Sequence, residues 1–160
     1  MEQSPQNISG FDITDVANWF LVKEPIQHKK LQKLCYYAVA WHYTLLDAPV
    51  CQNDEFQAWV HGPVNRKLFD KYKNKKWLPI SKISEADVPE FDVLSEEVLE
   101  FVWESYGDSS GDRLERISHN EDPWKNARGT LRPKENSENV ISVDDMKRFY
   151  GALFESAQLV

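Results

Sequence analysis

With 160 residues the chain suits one domain, and a domain of that size buries roughly 70% of the surface its unfolded chain exposes, so neither disulfides nor a metal are needed to fold it. Hydrophobic residues make up 41% and aromatics 12%, six of them Trp, which excludes a disordered chain and predicts an aromatic-rich core. The formal charge of −7 disfavours nonspecific binding to nucleic acid or anionic lipid, while leaving room for a local basic patch.

Residues 1–10 carry Ser, Pro, Asn and Gly and read as a flexible tail, with residues 11–160 as the domain. The first helix is predicted to start at Asp12, a capping residue with Asp15 three positions on, and Phe11 placed to pack on Val16. Ile13, Val16, Ala17, Phe20 and Leu21 give it one apolar stripe, and Pro25 separates it from the next helix. That second helix runs over residues 28–46. Leu31, Leu34, Cys35, Ala38 and Leu45 line one face, and Tyr37, Trp41 and Tyr43 make the rest aromatic. A helix apolar on most sides is central, so it is read as the spine of the fold. Residues 47–49 form a turn. Phe56-Gln57-Ala58-Trp59-Val60 is short, aromatic and β-branched; it reads as a strand paired near Val50 or Ile80 and ended by Gly62-Pro63.

Asn65 then caps a short helix bearing Leu68, Phe69 and Tyr72. Residues 73–93 are mostly connection, broken by Pro79 and Pro89. The next helix is predicted to begin at Ser95, with Leu94 stapled on Leu99 and Gly107 as its C′ residue. A short helix comes next over 112–117. At Asp122-Pro123, Asp is expected to cap and Pro to take the first helical position. Residues 129–139 are polar and read as mobile. The last helix starts at Ser142-Val-Asp-Asp145, with a stripe of Met146, Phe149, Tyr150, Leu153, Phe154 and Ala157. The expected fold is mainly α, a compact domain of about six helices around a central helix, with a small antiparallel β element.

Few residues offer chemistry. Ser118-His119-Asn120-Glu121-Asp122 sets a histidine beside carboxylates, which admits an acid–base hydrolase centred on His119 and Glu121; the competing reading is a helix end followed by a cap. His28, His42, His61 and His119 are far apart and lack metal-ligand spacing, and there is no phosphate loop or nucleophile elbow, so neither metal nor cofactor is expected. Cys35 and Cys51 do not make a disulfide framework. The opening Met-Glu-Gln-Ser-Pro lacks the regions of a signal peptide, and no apolar run approaches the ~18 residues of a membrane span. A cytoplasmic protein is expected.

Charge is unevenly spread. Residues 66–76 hold six Lys and Arg against Asp70, a net +5, whereas residues 85–112 hold ten acids and no Lys or Arg. Such a split suits a partner with complementary patches, or simply two solvated faces. Trp77, beside the basic run, could stack on a base, but the acidic remainder would repel phosphate, so nucleic acid is not the expected partner.

Three segments resemble the Panacea (SocA-like) family. Leu31-Gln32-Lys33-Leu34 with Tyr36-Tyr37 and Trp41 looks like its helix motif. Phe56 to Val64 resembles its strand followed by Gly-Pro-Val, and Ser118 to Trp124 its Thr-His-x-Glu-x-Pro-Trp segment, in the family's order over about residues 12–155. Ser118 stands where the family often has Thr, and His61 where it usually has another residue type. The resemblance implies an antitoxin, akin to SocA and to phage-associated GepA-like proteins, that silences a toxin encoded nearby. Delivery of that toxin to a Clp-type protease is the alternative mode it implies, and direct promoter binding is not expected. Leu31, Lys33, Tyr36, Trp41, Gly62, His119, Pro123 and Trp124 are then read as structural motif residues. Trp59, His61, Pro63, Arg66, Lys67 and Lys71 are read as the partner-binding set, on the turn and the basic helix start.

Overall fold

The computed structural model describes residues 10–158, so most of the expected 1–10 tail lies outside the described residues. Asp12 opens α1 (Ile13–Leu21): its carboxylate accepts the Thr14 N–H at 3.0 Å, and the Asp15 carboxylate accepts the Asp12 N–H at 2.8 Å, closing a capping box. Burial works to raise the Asp12 pKa, but hydrogen bonds from Thr14, Asn53 and Lys67 outweigh it and hold the carboxyl well below the usual range. The apolar stripe of α1 faces inward as read, while Phe11 stacks on Phe91 with ring centroids 4.2 Å apart.

The spine is α2 (His28–Leu46), largely buried from His28 through His42, with α1 and four later helices packed around it. Before it lies β1 (Ile26–Gln27). After it, β2 (Gln57–Trp59) pairs antiparallel with β3 (Gly62–Val64), in the register Gln57↔Val64 and Trp59↔Gly62. Gly62-Pro63 therefore turns the chain into a second strand instead of ending the first. The expected partners lie elsewhere: Ile80, in β4 (Pro79–Ile80), pairs with Ile26, and the bridge on the other side of β2 is Gln57↔Val140. A short hairpin satisfies its ladder with neighbours in sequence, and strand propensity alone cannot say which neighbour.

In α3 (Arg66–Tyr72) Asn65 is the cap, accepting the Leu68 N–H at 3.0 Å. Next, α4 (Val93–Tyr106) starts two residues earlier than expected, because Asp92 caps it; Ser95 is buried, and Val93 and Leu94 are exposed instead of stapled. Gly107 has φ −63, ordinary right-handed geometry, and ends α4 without a left-handed turn.

The remaining helices are α5 (Gly111–His119), α6 (Asp122–Arg128) and α7 (Val143–Gln158). The cap of α6 is Glu121, not Asp122, so Pro123 sits one position further in. Met146 and Tyr150 of α7 are buried, but Leu153 and Ala157 are exposed, so its stripe seals the core only over the first turns. The segment 129–139 is held in place: the buried Arg128 guanidinium donates to the carbonyls of Arg132 at 2.8 Å and Glu135 at 2.6 Å, and the Asn139 carbonyl accepts the Ala58 N–H at 2.8 Å. The fold is mainly α, with two small antiparallel ladders among the described residues. Cys35 and Cys51 are free and buried, and among the described residues no helix is long and apolar enough to cross a membrane.

Candidate functional site

The site begins at the hairpin turn. Gly62 adopts φ +109, which side-chain-bearing residues rarely tolerate, and a Cβ there would lie 2.7 Å from the Lys33 Cε. Lys33 runs beneath the turn, 2% exposed, and donates to the Pro63 carbonyl at 3.2 Å. Burial, then the nearby Lys29 charge, pulls the Lys33 amine down to about 7, against the opposing pull of Glu115. The turn is thus locked from below by a lysine that the glycine leaves room for.

Asn65 anchors the chain as it leaves the hairpin. Its N–H donates to the Gln32 Oε1 at 2.8 Å, its carbonyl accepts from the Gln32 amide at 3.2 Å, and its side chain donates to the carbonyls of Asn53 and Glu55. This tie between α2 and the start of α3 directs Arg66 out of the helix next to Trp59. The guanidinium lies 5.3 Å from the indole centroid, and Phe69 backs the same ring at 4.9 Å. The indole N–H donates to Gln57 Oε1 at 2.8 Å.

Trp59, Val60, His61, Val64 and Arg66 form one side of an open groove of about 680 Å³. Its other wall is the segment from Lys134 to Glu138, with Glu138 3.6 Å from Arg66. The groove is braced from behind. Trp124 donates its indole N–H to the Trp59 carbonyl at 2.9 Å, and Arg128 donates to the Ala58 carbonyl at 3.0 Å.

His61 projects to solvent, 3.1 Å from Glu115, which also pairs with Lys29. His119 stacks on Trp124 at 4.0 Å and bonds the Val60 backbone, while its buried Nε2 has no hydrogen-bond partner among the described residues. Burial is the main influence lowering its pKa, opposed by Glu115. Glu121 points elsewhere, into the core, where it accepts the hydroxyls of Tyr150 at 2.7 Å and Tyr37 at 2.9 Å. Burial pushes its carboxyl up to about 7 although both tyrosine bonds work against the shift. His119 and Glu121 therefore serve different neighbours and do not form an acid–base pair. Nor do the described residues contain a group of His, Cys, Asp and Glu arranged for a metal.

Of the residues read as partner-binding, Trp59, His61 and Arg66 meet at the groove. Pro63 is buried and shapes the turn, its carbonyl accepting from the Lys33 side chain. Lys67 pairs with Asp12 at 2.9 Å and Lys71 lies over the Tyr72 ring at 5.6 Å, both off the groove. Among the motif residues, Leu31, Lys33, Tyr36, Trp41, Gly62, Pro123 and Trp124 are buried, and His119 is half-buried. Sequence reasoning missed the 134–138 wall and the Arg128 that holds it. A cation ending a short helix was the available signal for Arg128, but the carbonyls it binds belong to a stretch whose polarity suggested mobility.

The family model for "Antitoxin SocA-like, Panacea domain" matches residues 31–125, from the first turn of α2 to the middle of α6. This is narrower than the 12–155 span of the resemblance, omitting α1 and α7, but it contains the hairpin, Arg66 and the Trp124 brace. No curated protein and no solved structure matches the chain.

Proposed function

The chain belongs to the antitoxin SocA-like, Panacea domain family, and on that premise we propose that it neutralises a protein toxin encoded nearby by binding it directly. The observation that carries this reading is the Trp59–Arg66 stack, which lies inside the matched segment and forms one side of the groove. Trp and Arg are the side chains that most often dominate binding energy at protein interfaces, especially when their rotamers are already held. Here Gln57, Phe69 and the Trp124 brace hold the indole before any partner arrives. Arg66 and Lys134 outnumber Glu138 on the groove rim, which suits an acidic segment with an apolar side chain for the Trp59 face.

Silencing a lethal enzyme calls for near-nanomolar affinity, about −12 kcal/mol. The proposed setting is the cytoplasm, which agrees with two buried free thiols. The test is co-expression with the product of the adjacent gene, scoring growth and isolating the pair. Rescue with a stable complex is expected from the wild type, and loss of rescue with an intact fold from Arg66→Glu combined with Lys134→Glu, two exposed cations of the groove. A double variant that still rescues removes this face. Rescue accompanied by disappearance of the toxin in cells with an active Clp-type protease, and its persistence without one, would identify delivery instead of sequestration.

A further inference from the structure

The acidic run and the basic run of the sequence both end in surface features that the Trp59 groove does not use. The basic run forms a lobe. After α3, a 3₁₀ turn (Lys73–Lys75) and Lys76 at φ +56 reverse the chain, presenting Trp77 at 74% and Leu78 at 62% exposure. The lobe is held in shape: Gln27 donates to the Trp77 carbonyl at 2.8 Å, Leu78 N–H donates to the Lys75 carbonyl at 2.9 Å, and β4 pairs with β1. Lys75 and Lys76 form no ion pair among the described residues. A tryptophan fixed outward among lysines is an unusual use of an apolar side chain on a free surface.

The acidic run builds a groove of about 580 Å³ between α1, the 85–91 strap and α4. Its floor is apolar, from Trp19, Val88 and Phe91, and its rim carries Glu85, Glu90, Glu96, Glu97 and Glu100. Glu96 accepts the Trp19 indole N–H at 3.0 Å, and Glu100 lies 3.6 Å from Lys23. Glu85, Glu90 and Glu97 have no cationic partner among the described residues. The lobe thus offers an unburied indole next to the uncompensated Lys75 and Lys76, and the groove an apolar floor with the uncompensated Glu85, Glu90 and Glu97 on its rim.

The two features neighbour one another: β4 continues into residue Ile83, whose N–H donates to the Leu21 carbonyl, and Val22 and Lys23 border the groove. Trp77 is nevertheless exposed, so it does not fill the groove of its own chain. A lobe and a groove side by side form a self-complementary patch, the requirement for a two-fold dimer in which each copy supplies both halves. We propose that the chain forms such a dimer, the Trp77 lobe of each copy seated in the Trp19 groove of the other. This is independent of toxin binding, because neither half includes Trp59, His61 or Arg66.

The test is sedimentation equilibrium of the full chain at low and high salt. A monomer–dimer equilibrium that weakens with salt is expected. Trp77→Ala, which removes an exposed side chain and leaves the fold intact, should raise the dissociation constant about 30-fold. Lys75→Glu with Lys76→Glu should give a monomer, and so should Glu85→Lys with Glu97→Lys. Mixing these two charge-reversed variants should restore a dimer, since each then meets an opposite charge in both halves. A wild type that stays monomeric at the highest attainable concentration overturns the proposal. So does a dimer that survives all three variants, because another face would then hold it, and so does failure of the mixed variants to associate.

Discussion

Two grooves on this molecule are built on the same device and carry opposite charge. In each, a tryptophan lies along the floor, its indole N–H donates to a nearby side-chain oxygen, and a cation sits over its ring. Trp59 has Gln57 and Arg66; Trp19 has Glu96 and Lys23. The difference lies in the rim and in the support. Around Trp59 the rim carries Arg66 and Lys134 against Glu138, and the wall is braced by a glycine turn, a buried lysine and the Trp124 indole. Around Trp19 the rim is carboxylate and the floor is the outer side of two helices and a strap. An indole fixed by its own hydrogen bond is a general-purpose anchor, and the surrounding charge chooses what it accepts.

The comparison can be broken most directly at the turn, which only the cationic groove has. Gly62→Ala forces a Cβ onto Lys33 at a positive φ and should cost about 4 kcal/mol of stability. Chemical denaturation would measure this, and a cost below about 1 kcal/mol would mean that Lys33 moves aside and the turn relaxes out of its positive φ. A titrating group lies next to the helix that braces this groove: Glu121 immediately precedes the helix that carries Trp124 and turns its carboxyl into the core. Its carboxyl pKa is raised in the folded protein from 4.5 to about 7, so the folded state holds a proton that the unfolded state has released. Stability from this group is therefore full below pH 4.5 and lost as the pH rises to about 7, a change of about 3 kcal/mol. Measured as wild type minus Glu121→Gln, the difference should fall over that window. His28, pushed down to about 4 by burial and then by Lys33, slopes the other way and cancels in the subtraction.

Smaller effects sharpen the contrast. Trp59→Ala should weaken toxin binding by about 2 kcal/mol, read by titration calorimetry, and leave the dimer constant unchanged if the grooves are independent. Asn65→Ala removes the cap of α3 and two bonds to the preceding loop. It should cost about 1–2 kcal/mol in thermal unfolding and loosen Arg66 without touching the acidic groove. Smallest is Arg66→Glu alone, which should slow toxin association and flatten its salt dependence, an effect of about 1 kcal/mol by stopped-flow.

Much of this was legible in the chain. Asp12 with Asp15, Asn65 before Arg66, and Ser142 before Asp145 each mark a helix start within four residues, because a cap satisfies backbone groups of the adjacent turn. The span of α2 was readable from an apolar surface on most sides. Errors fell where the deciding partner was distant or ambiguous. Asp92 took the cap from Ser95, the hairpin took the pairing from Ile80, and Arg128 turned a polar stretch into a groove wall.

The sequence by itself determined the helices, the inward stripe of α1, the apolar α2 and the separation of basic from acidic surface, since all of these depend on residues near one another along the chain. Tertiary structure alone decided which charges are buried and which side chains share a site. Lys33 lies under Gly62, and Trp124 behind Trp59, because α2, the hairpin and α6 converge there. Burial and convergence are properties of packing, and no local periodicity encodes how far a lysine will sit from water.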